Sequence, residues 1–173
     1  MFPDNILNIT VELLLNESYA RRDQVCVLAF RAGQAQVLLP PTRSLVRAKR
    51  ALSGLPAGGG TPLASALRLS LEMAHQQVRL GVTPVLVVLS DGRANVNLQG
   101  VGGREEAQRD ARAMAQAWAQ HRFTALWLDT SMQPDPLAQQ WAALMMARYL
   151  PMPYAPSARM ADAMRLVLHD ATP

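Results

Sequence analysis

Two short stretches hold the oxygen-bearing side chains from which chemistry could be built. "GGGTPLASAL" at 58–67 runs three glycines into Thr61 and Pro62 and then into an apolar helical pattern. "LSDGRAN" at 89–95 sets Asp91 directly after a continuous apolar run. A hydroxyl and a carboxylate are hard oxygen donors and suit a hard cation such as magnesium. A phosphate cradle is disfavoured on residue types, because a P-loop needs a lysine after its last glycine and none stands here. The dinucleotide pattern G-x-G-x-x-G after a strand is missing too. Each stretch also has a plain structural reading. Thr61 is a suitable helix N-cap with Pro62 at the first helical position, and Asp91-Gly92 is a common turn pair.

The surrounding periodicity shows what must position these groups. "PVLVVL" at 84–89 predicts a strand covered on both faces, so Asp91 falls at its carboxyl end. Residues 5–21 place Ile6, Ile9, Leu13 and Leu14 at helical spacing, with Asp4 as a possible cap. The β-rich runs 24–30 and 34–39, parted by "RAG", predict a hairpin. A helix is expected over 42–55, opening on Thr42 and closing near Gly54 and Pro56. The next helix carries a stripe of Leu63, Leu67, Ser70, Leu71, Ala74 and Val78 and ends at Gly81. Further on come a helix over 103–121 with Ala107, Ala111, Met114 and Trp118 on one side, and a strand over 123–130. A helix in "PDPLAQQWAALMMA", an edge-like strand in "RYLPMP" and a last helix over about 157–169 complete the order. Strands alternating with helices imply a mostly parallel sheet between helical layers, with ligands beyond the carboxyl ends of the strands. Unusually for such a fold, the chain opens on a helix.

Composition narrows the classes. The 173 residues, 50% hydrophobic and 17% charged, fit one folded domain. No apolar run reaches membrane-span length, and the first ten residues show no basic export signal. Cys26 is the single cysteine, which suits a reducing cytoplasm. The net charge of +4 is spread along the chain rather than clustered, which argues against nucleic acid and for an acidic protein surface as partner. Arg43, Arg47 and Arg50, at i, i+4 and i+7, would share one helix face, either solvated or docking an acidic partner segment. His75, His121 and His169 are far apart in sequence and lack metal-ligand spacing. Cys26 is expected to fill a small apolar role, "LMMARY" to lie in the core, and no serine or cysteine pairs with a histidine and an acid by a local signature.

Several segments resemble the von Willebrand factor A domain, and more closely the C-terminal domain of the magnesium chelatase D subunit. They are "RRDQVCVLAFR" (21–31), "LLPPTRSLVRAKRAL" (38–52), "LPAGGGTPLASAL" (55–67), "PVLVVLSDGRANV" (84–96), "LDTS" (128–131) and "ARYLPMPYA" (147–155). The likeness runs over about 11–169, in order. It implies a three-layer, doubly wound, mostly parallel α/β sheet with one antiparallel edge hairpin strand. The family's metal-ion-dependent adhesion site takes ligands from a D-x-S-x-S after the first strand, from a threonine and from an aspartate. Thr61 matches the threonine and Asp91 the aspartate. The first strand and its D-x-S-x-S have no match, so residues 1–10 read as a non-matching segment and 11–173 as a domain truncated at its N-terminus. Two strands should then face a gap, and Mg2+ should bind weakly or not at all. Asp129 and Ser131 of "LDTS" match a later strand and are not taken as replacements.

The resemblance further implies a non-catalytic cytoplasmic platform, from a truncated or split subunit. It would join an AAA+ ATPase motor subunit to a large porphyrin-binding subunit, in the complex that inserts magnesium into protoporphyrin IX for chlorophyll or bacteriochlorophyll synthesis. Two alternatives stay open. One is the corresponding module of a cobalt chelatase or another ATPase-coupled chaperone; the other is an α/β enzyme using Asp91.

Overall fold

The computed structural model describes residues 4–53, 59–152, 162–163 and 165–167. Helix α1 (Asp4–Ala20) leads into strands β1 (Val25–Arg31) and β2 (Gln34–Thr42), then helix α2 (Leu45–Ser53). Helix α3 (Leu63–Arg79), strand β3 (Val85–Ser90), helix α4 (Arg104–Gln120) and strand β4 (Thr124–Asp129) follow. Helix α5 (Pro136–Leu144) and strand β5 (Arg148–Pro151) close the described order. The hairpin β1–β2 is antiparallel, with Arg31 opposite Gln34 across a two-residue turn in which Ala32 takes a φ of 56°. Strands β3, β4 and β5 form a parallel sheet in that order. The α/β class and the hairpin expected from sequence are both present.

Strand alternation sorts the core onto two faces. Val85, Val87 and Leu89 of β3 and Leu126 and Leu128 of β4 pack with Leu13 and Leu14 of α1 and with Val167. Leu86, Val88, Ala125 and Trp127 point the other way, against Leu63 and Leu67 of α3, Ala107, Ala111 and Ala115 of α4, and Trp141 of α5. Both faces are covered, which is why β3 reads as an unbroken apolar run rather than an alternating one. The alanine stripe of α4 is fully buried, so that helix lies close against its neighbours.

The parallel sheet and the hairpin share no ladder. Two helices connect them from opposite faces. On one face, Leu13 and Leu14 of α1 join the β3–β4 cluster, while the next residue, Leu15, joins Val27, Leu39 and Ala48 of the hairpin and α2. On the other face, Phe30 of β1 packs on the cluster that α3 forms with Val88 and Trp127. The edge of β3 opposite β4 is therefore unpaired among the described residues, as expected for a fold whose first strand has no counterpart. Val85, Leu86, Val87 and Leu89 are only half-buried, whereas Leu126, Trp127 and Leu128 next door are at most 1% exposed.

Local details differ from the sequence reading in five places. Strand β2 runs on to Thr42, so α2 is capped by Ser44, whose Oγ accepts from the Arg47 N–H at 3.4 Å. Arg43 therefore lies outside the helix, its Nε donating to the Arg22 carbonyl at 3.1 Å, and the expected three-arginine face reduces to Arg47 and Arg50. Helix α3 starts after Pro62 with no side-chain cap, so Thr61 is not its cap. Val78 is exposed rather than part of the buried stripe. Met145 is core, but Met146 turns out to solvent with a φ of 57° because the helix has already ended. Ile6, Ile9, Gly54, Pro56, Gly58 and His169 lie outside the residues and side chains described.

Candidate metal-binding rim

Asp91 follows the last residue of β3, and its turn is clamped by α5. Gly92 takes a φ of 81°, and a Cβ there would come within 2.6 Å of the Ala138 nitrogen. Only glycine fits a backbone that is both left-handed and this close to a helix. The Gly92 carbonyl accepts from Trp141 Nε1 at 2.8 Å, and its N–H donates to Ser90 Oγ at 3.2 Å. Fixed this way, the Asp91 carboxylate is part-exposed at the rim. Its Oδ1 accepts from the Arg93 N–H at 3.0 Å, and its Oδ2 pairs with Arg93 Nε at 3.3 Å.

Thr61, just before α3, contacts the loop that follows Asp91. Its N–H donates to Asn95 Oδ1 at 2.6 Å, and the Asn95 N–H donates back to its carbonyl at 3.3 Å. Asn95 lies four positions past Asp91, so this two-way bond ties the glycine loop to the loop that carries the aspartate. The glycine before Thr61 makes the approach possible. A Cβ at Gly60 would meet Val96 Cγ2 at 2.5 Å and the Ala32 carbonyl at 2.9 Å. The backbone of Thr61 is thus tied to Asn95, on the loop that follows Asp91, a tie that sequence reasoning missed.

A second carboxylate stands one strand over and is used differently. Asp129, opposite Ser90 in the parallel ladder, is fully buried. Its Oδ1 accepts from the Ser131 N–H at 2.8 Å and from Ser131 Oγ at 2.5 Å. Its Oδ2 accepts from the Asp135 N–H at 3.2 Å and from the Tyr149 hydroxyl at 2.5 Å. Four donors stabilise a charge that would otherwise be costly to bury. Burial, together with the hydrogen bond to Asp129 and its charge, raises the Tyr149 phenol well above its ordinary value. Ser131 Oγ also comes 3.5 Å from the Asp91 carbonyl oxygen, but its single proton is committed to Asp129, so this is a packing contact. Asp129 thereby fixes the loop that Asp91 leans on. The signal was an acid closing an apolar strand just before Thr-Ser.

The donor set suits a hard cation only in part. Thr61 and Asp91 are oxygen donors, but magnesium wants octahedral oxygen coordination, and the one carboxylate is already paired with Arg93. Among the described residues, no three His, Cys, Asp or Glu side chains form a cluster able to hold a metal. The histidines sit elsewhere. His75 and His121, distant in sequence, have ring centroids 4.3 Å apart beside Phe123, near the end of α3 and the start of β4, opposite the rim. Cys26 is half-buried on β1, and burial raises its thiol pKa, so it stays protonated. No helix among the described residues is long and apolar enough to cross a membrane.

An open parallel sheet between helices, with the Asp91 carboxylate just past the end of β3, has the form of a domain of the von Willebrand A class. Residues 5–93, about half of the chain, match the von Willebrand factor type A domain, and the chain belongs to that family. It is similar to the magnesium-chelatase 60 kDa subunit of Cereibacter sphaeroides, 42% identical over 160 residues, covering 92% of this chain and 29% of that protein. The subunit of the same description from Rhodobacter capsulatus is 44% identical over 158 residues, covering 91% of this chain and 28% of the relative. The chain thus spans less than a third of the length of these curated relatives. Among solved structures, BatB from Bacteroides thetaiotaomicron has a TM-score of 0.63 at 18% identity, covering 95% of this chain and 89% of BatB. The SpRpn10 VWA domain has a TM-score of 0.61 at 12% identity, covering 94% and 82%. These two likenesses bear on the fold alone.

Proposed function

We propose that this chain is an assembly module of a magnesium chelatase, a platform between the complex's AAA+ ATPase motor subunit and its large porphyrin-binding subunit. The supporting observation is the 42–44% identity to two magnesium-chelatase subunits across nine-tenths of the chain. In this reading ATP hydrolysis and insertion of magnesium into protoporphyrin IX take place on the partners, and this chain contributes surfaces. Arg47 and Arg50, exposed on α2, with Arg43 beside the helix, form the docking patch for an acidic partner segment.

Sedimentation of the chain with the purified motor and porphyrin-binding subunits tests this. Co-sedimentation is expected, and the double variant Arg47→Glu/Arg50→Glu should weaken it by at least about tenfold. Such exposed charges should alter folding stability by less than about 0.5 kcal/mol. No association with either subunit would refute the platform reading, and unchanged assembly in the double variant would leave α2 a solvated face.

We also propose that the rim binds Mg2+ weakly, with the Asp91 carboxylate and the Thr61 hydroxyl as the protein's donors and water filling the other positions. Calorimetric titration should detect no micromolar affinity. Micromolar binding that vanishes in Asp91→Ala would show that the donor set is more complete than these two residues.

A further inference from the structure

We propose that His75 and His121 form a two-imidazole chelate for a borderline divalent transition-metal ion such as Zn2+. The pair lies near the end of α3 and the start of β4, away from the Asp91 turn. This inference stands apart from the platform reading, since it rests on how α3 meets α4 and not on any relative.

Local structure holds both rings in place. His75 lies in the last turns of α3, and His121 is the C-cap of α4, its N–H donating to the Trp118 carbonyl at 3.1 Å. Leu67 and Ala74 of α3 share a buried cluster with Ala107, Ala111 and Ala115 of α4, which packs the two helices together. Phe123 lies parallel to the His121 ring, with centroids 5.5 Å apart, and meets His75 edge-on at 5.6 Å. The buried Trp118 in turn backs Phe123 at 5.6 Å. Rings supported in this way lose less freedom when they take up a ligand.

The two imidazoles themselves have centroids 4.3 Å apart, with planes at 87°. With metal–nitrogen bonds of about 2.1 Å, two imidazoles on one ion at a right angle have centroids about 4.5 Å apart. The spacing thus already suits a shared ion, and coordination asks for rotation of the rings rather than movement of α3 against α4. Neither imidazole hydrogen-bonds to another described residue, so the nitrogens are not committed elsewhere. His75 is half-buried and His121 exposed, which leaves the pair open to an ion from solvent.

The surroundings select the class of ion. Beside His75 an open cleft of about 510 Å³ is lined by Glu72, Gln76, Val78 and Arg79, roomy enough for waters of about 30 Å³ each on the ion's remaining positions. Glu72 and Arg79 offset each other in charge, and Glu72 also lies 4.0 Å from Arg68. Local charge therefore does little to attract a hard cation such as Mg2+, which depends on carboxylates. Imidazole nitrogen instead suits zinc, nickel and copper through the coordination bond itself. Among the described residues no third His, Cys, Asp or Glu completes the set, so the ion keeps water ligands and exchanges. With one ligand from α3 and one from the cap of α4, it ties the ends of the two helices together.

The probe is Zn2+ added to the whole chain. Calorimetric titration should show one ion per chain, and the melting temperature should rise with Zn2+ concentration. Either His75→Gln or His121→Gln should weaken binding by at least about tenfold and abolish that rise. Because His121 is exposed, His121→Gln should leave the metal-free melting temperature unchanged, so its loss of binding is not a loss of fold. An about hundredfold excess of Mg2+ should not displace the ion. The chelate is overturned by any of four results: no Zn2+ binding, binding kept in either variant, a melting temperature that Zn2+ does not raise, or displacement by Mg2+.

Discussion

Strands β3 and β4 lie side by side in register, Leu89 opposite Leu128, and both are apolar hexamers. Yet β4 is buried along almost its whole length, while β3 is mostly half-buried. Composition does not explain the difference. Among the described residues, strand β4 is paired on both edges, and β3 on one. Burial of a strand is thus set by its neighbours along the sheet as much as by the helices above and below it.

A single pair of substitutions sharpens this comparison most. Leu128→Ala should destabilise the chain by about 3 kcal/mol, the usual cost of emptying a closed core site. Leu89→Ala, in the same register and cluster, should cost about half as much, because less apolar surface is removed from water. Urea denaturation of both variants measures the difference. Equal losses would mean that β3 is as enclosed as β4.

The two carboxylates at the ends of these strands repeat the contrast on a smaller scale. Asp129 is buried under four donors, whereas Asp91 is part-exposed and shares its charge with Arg93. The buried one predicts a pH effect through its partner. Because Tyr149 has a raised pKa in the fold, its phenol binds its proton more tightly there than in the unfolded chain. The stabilisation is fully present below the ordinary tyrosine value of 10.0 and is lost as pH climbs above it. The melting temperature should therefore fall more steeply above about pH 10 in the parent chain than in Tyr149→Phe. Parallel curves for the two would show that Tyr149 does not titrate through Asp129. Removing the exposed ion pair of Asp91 through Arg93→Ala should change stability in urea denaturation by less than about 1 kcal/mol, and less still at high salt.

How far this was legible in the sequence depended on the range of the signal. The unbroken apolar run "PVLVVL" gave β3 and its two covered faces directly, and the Arg-Ala-Gly interruption gave the hairpin. That Thr61 and Asp91 lie at the ends of α3 and β3 was readable, because each adjoins a strong periodic element. Asn95 was not, since its role is to bridge two loops 34 residues apart, and nothing local marks it. The pairing of His75 with His121 escaped for the same reason. The cap of α2 was misplaced by two residues because Thr42 and Ser44 are equally good caps by type, and only the length of β2 chose between them. That choice also removed Arg43 from the helix face.

By itself, the sequence determined periodicity, and with it the order of helices and strands and the two-sided apolar character of the sheet. These are short-range properties, fixed by which side chains recur on one face of an element. Tertiary structure alone decided that α1 packs on both the parallel sheet and the hairpin, and that Asp129 is buried and Asp91 is not. Those outcomes depend on which segments meet in space, and a linear pattern carries no record of that.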